Sequence, residues 1–297
     1  MSCIVFNCKK TCSDQETSLC DTHYTILKEN PSTFPSTHKI KSDSSFSLTS
    51  LLSPSSSTRY THLISLRKGT AEYNKIETKF LKDWVKKNAQ GLRVEAIYNI
   101  IFPLEIIRQY NDYKSQVESQ IKNKALGLPE ANEKLLWHGT DQLCCIFYDK
   151  PTIVSSPCAT NNCPGCGILM NSFSMEKVGI NHQGRTFQRL GQGLYFTPHS
   201  SKAHFYGHLG AKSLPNESGR YCRIMFLSKV IIGKPWEPEI VAQNASGPPA
   251  GYNSTWGRVG YCPHGGAMLN YEEYAVYRQD ACLPVNYVAY SYTSSSE

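Results

Sequence analysis

LLWHGT (Leu135–Thr140) is the stretch that decides the predicted fold. Its two leucines and its tryptophan predict a buried β-strand. The strand ends on His138, Gly139 and Thr140, three residues that fill a core poorly. Binding groups are often exposed where a strand leaves the core, so this strand end is a candidate site. Taken alone, a histidine at such a place is more often a turn residue with a satisfied hydrogen bond.

A second segment, GQGLYFTPHSSKAHFYG, adds aromatic side chains to the candidate site. It places Gly191 and Gly193 before Tyr195, and Tyr206 follows eleven residues after that tyrosine. Glycines let a backbone approach a flat ligand closely, and two tyrosines can sandwich an aromatic ring. Packing in the core is the alternative role for both tyrosines.

A third segment, LNYEEYAVY, adds a carboxylate. If it is a strand, alternation places Glu272 and Glu273 on opposite faces, so one glutamate is solvated and the other points inward. An inward glutamate at a site with tyrosines and a histidine fits a reaction in which positive charge develops on a sugar.

The rest of the pattern predicts an α+β domain. Tyr60–Leu66 is a predicted strand, and apolar residues at helical spacing predict a helix through 72–84. Pro103 marks the start or a kink of a second helix that continues through Tyr110. CRIMFLSKVIIGK, EEYAVYRQD and VNYVAYSY are β-rich runs, so we expect helices first and strands later.

The bulk composition limits the classes of protein. A chain of 297 residues with 40% hydrophobic residues can bury a full core, so we expect one large domain with an appendage. No apolar stretch is long enough for a membrane span and no secretory signal is evident, so we expect an intracellular protein, nuclear or cytoplasmic, without a membrane partner. The net charge is +7, and the lysines and arginines are scattered along the sequence. This charge is compatible with a nucleic-acid partner but does not indicate one.

Cysteines crowd the N-terminal segment. Cys3 and Cys8, and then Cys20 and His23, form two close ligand pairs separated by a loop, which is a typical arrangement for a structural zinc ion. The segment has too few large apolar residues to fold around its own core, which favours zinc over incidental surface thiols. Cys12 is an alternative to Cys8.

A second cysteine group lies between the first two quoted segments. Its spacing is Cys-x4-Cys-x2-Cys with a further cysteine upstream, and NNCPGCG has the small residues that let a chain wrap a metal. The predicted ligands of this second structural zinc ion are Cys144, Cys158, Cys163 and Cys166. Cys145 and His182 are alternatives for the fourth ligand, and free thiols are the alternative to a metal site.

These features divide the chain into four parts. Residues 1–29 form the zinc-binding segment, and 30–59, rich in serine and proline, form a linker. Residues 60–292 form the main domain, and 293–297 form a tail. The N-terminal segment is expected to recruit a target or a partner.

The three segments together resemble the motifs of the poly(ADP-ribose) polymerase-like (PARP-like) ADP-ribosyltransferases, a class named for a His-Tyr-Glu triad. LLWHGT, GQGLYF with SSKAHFY, and NYEEYAVY stand in the family's order, and a thinner similarity covers residues 60–290. VEAIYNIIFPLEIIRQYNDYK resembles the helix before the first motif, and PPAGYNSTWGRVG resembles a glycine-containing loop. The resemblance implies two packed, mainly antiparallel sheets with flanking helices.

The resemblance also implies roles for single residues. His138 would bond a hydroxyl of the adenosine ribose of NAD, and the Gly139 backbone would hold the nicotinamide carboxamide. Tyr195 would line the pocket and Tyr206 would stack on the nicotinamide ring. Glu273 would bond the nicotinamide ribose and favour an oxocarbenium-like transition state. The catalytic set is thus Glu273, His138 and Tyr195, and NAD is the co-substrate.

Two positions depart from the family's pattern. Thr140 stands where the family often has serine. The family's SKS sequence is Ser201-Lys202-Ala203 here, so the carboxamide contact of its second serine is lost or comes from Ser200 or Ser201. The reaction implied is the transfer of a single ADP-ribose to a protein or nucleic-acid acceptor. An NAD glycohydrolase and an inactive binding module are the alternatives.

Overall fold

The computed structural model describes residues 61–87, 89–121, 129–144, 157–158, 163–178, 189–207, 218–238, 245–262 and 266–295. The predicted linker at 30–59 lies outside these residues. So do the predicted ligands of the first zinc site, Cys3, Cys8, Cys20 and His23.

The described chain combines α-helices with β-strands. The strands are β1 (His62–Ser65), β2 (Ala89–Gln90), β3 (Arg93–Ile101), β4 (Glu133–Gly139), β5 (Leu194–Phe196), β6 (Tyr221–Ile231), β7 (Pro235–Trp236), β8 (Ser254–Gly257), β9 (Gly260–Cys262), β10 (Gly266–Leu269), β11 (Glu273–Val276), β12 (Cys282–Tyr292) and β13 (Ser294–Ser295). The helices are α1 (Ala71–Lys82), α2 (Leu104–Ile121), α3 (Pro164–Asn171) and α4 (Ser200–Ala203). The predicted α+β class is confirmed.

Two sheets carry the architecture. The larger is a five-stranded antiparallel sheet in the order β1-β3-β12-β6-β4. The smaller has four strands in the order β5-β11-β8-β7, and only its β7–β8 pair is parallel. Short pairs β9–β10 and β2–β13 complete the described strands.

The two sheets meet at the strand that ends in LLWHGT. Trp137 of β4 and Thr197, the residue after β5, exchange both backbone hydrogen bonds, at 2.8 and 3.0 Å. This single bridge joins the edge of the large sheet to the edge of the small one. Residues that follow Trp137 therefore enter the space where the two edges meet.

Helices cover three of the sheet faces. α1 packs Tyr73, Ile76 and Phe80 on one face of the large sheet, and Thr70 caps the helix by accepting the backbone N–H of Tyr73. Leu169 of α3 packs on the opposite face of that sheet. α2 packs on one face of the small sheet. The other face of the small sheet carries the candidate site.

One element differs from its prediction. VEAIYNII, expected to belong to the helix before the first motif, forms β3, and α2 begins only after Pro103. The reason is that β3 is buried on both faces: Ile97 packs towards α1, and Tyr98 packs on the other side. A strand buried on both faces has a continuous apolar sequence, which periodicity cannot distinguish from a helix. The expected order of helices first and strands later is wrong for the same reason.

The helices of the described part are short or amphipathic. None of them has the length and the apolar character that crossing a bilayer requires.

Candidate active site and metal site

His138 lies at the end of β4, against β5. Its Nδ1 is 2.9 Å from the carbonyl oxygen of Tyr195. That oxygen can only accept, so Nδ1 carries the proton of this bond. The ring packs against Phe173 and Phe196, at centroid distances of 4.8 and 5.5 Å. Groups of the protein itself therefore fix the tautomer and the orientation of this histidine.

Tyr195 and Glu273 share one face of the small sheet. Tyr195 in β5 is directly opposite Ala275 in β11, and directly opposed residues point to the same face. Glu273 lies two residues before Ala275, so it points the same way. Glu273 is buried, as expected of the inward glutamate. Glu272, on the opposite face, accepts a hydrogen bond from the hydroxyl of Tyr274.

The carboxylate of Glu273 forms an ion pair with a lysine of α4. Its Oε1 is 2.7 Å from Nζ of Lys202 in α4. Burial alone would lower the pKa of Lys202, but the charge of Glu273 and hydrogen bonds to Glu273 and Tyr206 outweigh burial and raise it above its ordinary value. Lys202 therefore remains a cation and holds the carboxylate in one orientation.

Gly139 permits a close approach between β4 and α4. A methyl group at this position would overlap the carbonyl oxygen of Ala203, and it would lie 3.3 Å from Cβ of Tyr206. Only a residue without a side chain lets the strand end pack against this turn. The sequence predicted a backbone role for Gly139, and the structure shows that the glycine brings Tyr206 beside the strand.

The hydroxyl of Tyr195 organises the loop before β5. It accepts the backbone N–H of Leu190 and donates to the carbonyl oxygen of Gly191, both at 2.8 Å. Burial raises the pKa of Tyr195, so its hydroxyl keeps its proton. Since the hydroxyl is used by the loop, the ring is the part of Tyr195 that can contact a ligand.

The two serines of α4 are buried against the end of α1. Ser201 Oγ accepts the backbone N–H groups of Val85 and Lys86, at 3.1 and 3.2 Å. Ser200 Oγ donates to the carbonyl oxygen of Phe80 at 2.7 Å. Both oxygens thus support the position of α4, and both serines, including the predicted cofactor-binding Ser201, are fully buried. Thr140, half-buried, follows β4 directly.

Two cationic side chains have contacts that the sequence motifs did not predict. Lys202 pairs with Glu273. Lys86 lies against two rings, with its Nζ 3.9 Å from the ring centroid of Phe205 and 4.2 Å from that of Tyr271. Two aromatic faces hold an ammonium group by cation–π attraction. No spacing in the sequence signals these pairings, since residues far apart in the chain form them.

The four predicted cysteines of the second group come together. The sulfurs of Cys144, Cys158, Cys163 and Cys166 all lie within 4.8 Å of one another. Cys144 Sγ is 3.5 Å from Cys166 Sγ and 3.8 Å from Cys163 Sγ. A tetrahedral zinc ion with Zn–S bonds of about 2.3 Å separates its sulfurs by about 3.8 Å. The group can therefore hold a metal such as zinc, whereas Cys145 and His182 lie outside the described residues.

Donors surround these sulfurs. The backbone N–H groups of Leu143 and Cys158 donate to Cys163 Sγ and Cys166 Sγ, each at 3.3 Å. Donation from the Cys166 thiol and from nearby backbone N–H groups lowers the pKa of Cys163 to about 4. Burial raises the pKa of Cys144 to about 11. Hydrogen bonds that stabilise thiolates are typical of a second shell around a metal.

The described geometry thus gathers the predicted site residues His138, Gly139, Tyr195, Tyr206 and Glu273 in one region, which we call the cleft, and the cysteines in another. Neither a scan against models of protein families nor a search of curated proteins finds a match for this chain. The chemistry of the two sites must follow from their own residues.

Proposed function

We propose that this chain is an NAD-dependent ADP-ribosyltransferase with a PARP-like fold, and that it transfers a single ADP-ribose to a macromolecular acceptor. The observation that supports it best is that three segments distant in the sequence come into contact in one region. Gly139 packs beside Tyr206, and Lys202 of the same turn pairs with Glu273 at 2.7 Å. Three motifs that lie far apart in the sequence are expected to meet in the fold if they bind one ligand.

Each binding role fits the contacts around its residue. The contact of His138 Nδ1 with the carbonyl oxygen of Tyr195 holds the ring at the strand end, where it would meet a ribose hydroxyl of NAD. The backbone of Gly139 holds the carboxamide beside Tyr206, whose ring stacks on nicotinamide. The ring of Tyr195 closes the pocket on the face that it shares with Glu273.

The chemical step needs little from the protein beyond position and charge. The bond between the ribose C1′ and the nicotinamide nitrogen breaks, and its electron pair leaves with nicotinamide. Glu273 stabilises the positive charge that develops on the ribose, and Lys202 holds the carboxylate in place through Oε1. The acceptor nucleophile then bonds to C1′ and loses its proton to solvent. Stabilisation of this kind is worth about 10²- to 10³-fold in rate.

The position of Lys86 supports a dinucleotide as the co-substrate. Lys86 contacts the rings of Phe205 and Tyr271, and these residues are neighbours in sequence of Tyr206 and of Glu273. A pyrophosphate carries negative charge, and a cation already positioned by two rings binds it with little loss of side-chain entropy. The acceptor is a protein or a nucleic acid.

The tetracysteine group holds a structural zinc ion rather than a catalytic one. Four protein thiolates complete the tetrahedral coordination of zinc and leave no position open for a substrate. The four cysteines would supply that coordination with sulfurs that already lie within 4.8 Å of one another.

Incubation of the full chain with isotopically labelled NAD tests the proposal. We expect nicotinamide release together with label attached to protein or nucleic acid, detected by mass spectrometry. Glu273→Gln is expected to lower nicotinamide release about 10²- to 10³-fold. Glu272→Gln is the matched control, because Glu272 points to the other face and should leave release unchanged.

The products separate the alternatives. ADP-ribose that appears only free in solution would make the chain an NAD glycohydrolase. If the unaltered chain binds NAD but releases no nicotinamide, it is a binding module, and the proposed transfer is wrong.

A further inference from the structure

The tetracysteine group is connected to the candidate active site along two routes. The first route is the chain itself, because β4 carries His138 and continues within a few residues to Gln142 and Cys144. The second is α3, which begins next to Cys163, contains Cys166 and leads to Phe173. Phe173 packs on the ring of His138 at 4.8 Å and on Phe196 at 5.1 Å. Both routes end at the same histidine.

Gln142 is the polar group that links the cysteines to the core. Its side chain is buried, and Nε2 donates to Cys144 Sγ at 2.8 Å and to Cys166 Sγ at 3.2 Å. Its Oε1 accepts the hydroxyl of Tyr287, a fully buried residue of β12, at 3.4 Å. Gln142 therefore ties two predicted metal ligands to the large sheet.

The contacts of Gly165 show that this link is tightly packed. A methyl group at Gly165 would overlap Oε1 of Gln142, and the backbone N–H of Gly165 donates to the carbonyl oxygen of Asp141 at 2.9 Å. The turn between Cys163 and Cys166 thus packs directly on the segment after β4. A change in the position of either cysteine must move this segment.

We propose that a divalent metal ion bound by the four cysteines positions His138 for NAD, and that Gln142 is the positioning residue of this metal site. Four thiolate sulfurs select Zn²⁺ among the common divalent ions. The metal closes the loop formed by β4, the cysteine turn and α3, and so holds Phe173 against His138. The proposal rests on the function proposed above only where NAD is concerned; the effect of the metal on His138 does not depend on it.

Substitution of Gln142 tests the positioning role. Gln142→Leu keeps all four cysteines but removes both donations to sulfur, so we expect Zn²⁺ affinity to fall about 10- to 100-fold. With Co²⁺ in place of Zn²⁺, the sulfur-to-metal charge-transfer bands should shift in this variant. Unchanged bands and unchanged affinity would contradict a role for Gln142. Gln109→Leu, on α2 and away from the cysteines, is the control and should change neither quantity.

Reciprocity tests the coupling to NAD. If the metal favours the NAD-binding position of His138, NAD must raise the affinity of the chain for the metal by the same free energy. In Glu273→Gln protein, in which turnover is slow, saturating NAD should lower the Zn²⁺ dissociation constant, measured at equilibrium against a chromogenic chelator, about tenfold. Phe173→Leu breaks the contact with His138, and it should abolish this gain in affinity. Equal Zn²⁺ dissociation constants with and without bound NAD would overturn the coupling.

Ring resonances of the histidines separate the two proposals. In the full chain, removal of Zn²⁺ should shift or broaden the imidazole signals of His138, assigned with a His138→Gln variant. His204 is the internal control. It is buried and bonded to Tyr290 and Arg223, two residues of the large sheet, so it should keep its signals. Unchanged His138 signals would overturn this inference. If the His138 signals change on removal of Zn²⁺ but do not change when NAD is added, the proposed function is refuted instead.

Discussion

The cleft and the tetracysteine group reach their geometry by different means. In the cleft, strand registers and backbone bonds place Tyr195 opposite Ala275 and tie His138 to β5. The charge of Glu273 is already balanced by Lys202 at 2.7 Å. In the cysteine group, short segments bring four sulfurs within 4.8 Å, and the donors around them favour negative charge that only a cation can balance.

The difference indicates which site depends on its ligand. A site whose polar groups are paired within the protein keeps its shape without a ligand. A cluster of facing thiols is stable as a unit only when a metal replaces its protons. We therefore expect the cleft to be preformed by the sheets, and the cysteine group to be formed by its ion.

The largest expected effect is the loss of a cysteine ligand. Cys166→Ser should lower Zn²⁺ affinity about 10²- to 10³-fold, because structural zinc sites supply about 10–16 kcal/mol over four ligands. Competition with a chromogenic chelator measures the affinity. Cys222→Ser, on β6 and outside the cluster, is the matched control. If both variants bind Zn²⁺ equally well, the cysteine group is not a metal site and the contrast with the cleft fails.

The second-largest expected effect concerns the packing of β4 against α4. Gly139→Ala places a methyl group where the carbonyl oxygen of Ala203 lies, so β4 and α4 must separate. We expect the free energy of unfolding to fall by about 2 to 3 kcal/mol, with Zn²⁺ content unchanged. Urea unfolding and metal analysis measure the two quantities. Gly167→Ala is the control, because a methyl group there meets open space. An unchanged stability for Gly139→Ala would mean that the strand end is not packed as described.

The sequence predicted the parts of the cleft that local patterns encode. The apolar spacing identified α1, and the strand LLWHGT was predicted with its polar end. The helix expected over the residues of β3 came from the family resemblance, and burial on both faces leaves no alternation in the sequence that would have indicated a strand. The pairing of Lys202 with Glu273 was not predictable from spacing, since it joins helix α4 to strand β11, which are distant in the sequence.

The cysteine group was more predictable, and for a chemical reason. A metal site restricts both the residue type and the spacing of its ligands, so the pattern appears in the sequence. Its connections did not appear there. Nothing in the spacing of Gln142 or Phe173 indicates that they reach the sulfurs and His138.

The third effect concerns the internal charge balance of the cleft. The pKa of Lys202 is raised, so its stabilising contribution is complete below the ordinary pKa of 10.5 and is lost as the pH rises through the folded value. Lys202→Met should lower the free energy of unfolding by about 1 to 2 kcal/mol at pH 9. The difference in the free energy of unfolding between this variant and the unaltered chain should become smaller above about pH 10.5. Lys134→Met, outside the cleft, is the control and should show no such narrowing.

The smallest expected effect separates the ring of Tyr195 from its hydroxyl. Tyr195→Phe removes the bonds to Leu190 and Gly191 but keeps the ring on the face of Glu273. We expect a loss of about 1 kcal/mol in stability and nicotinamide release within about tenfold of the unaltered chain. Tyr195→Ala removes the ring as well and should lower NAD affinity further, which calorimetry can measure. If Phe and Ala have the same effect on NAD affinity, the ring does not contact the ligand. The affinity of the preformed cleft for NAD would then come from backbone contacts and charge alone.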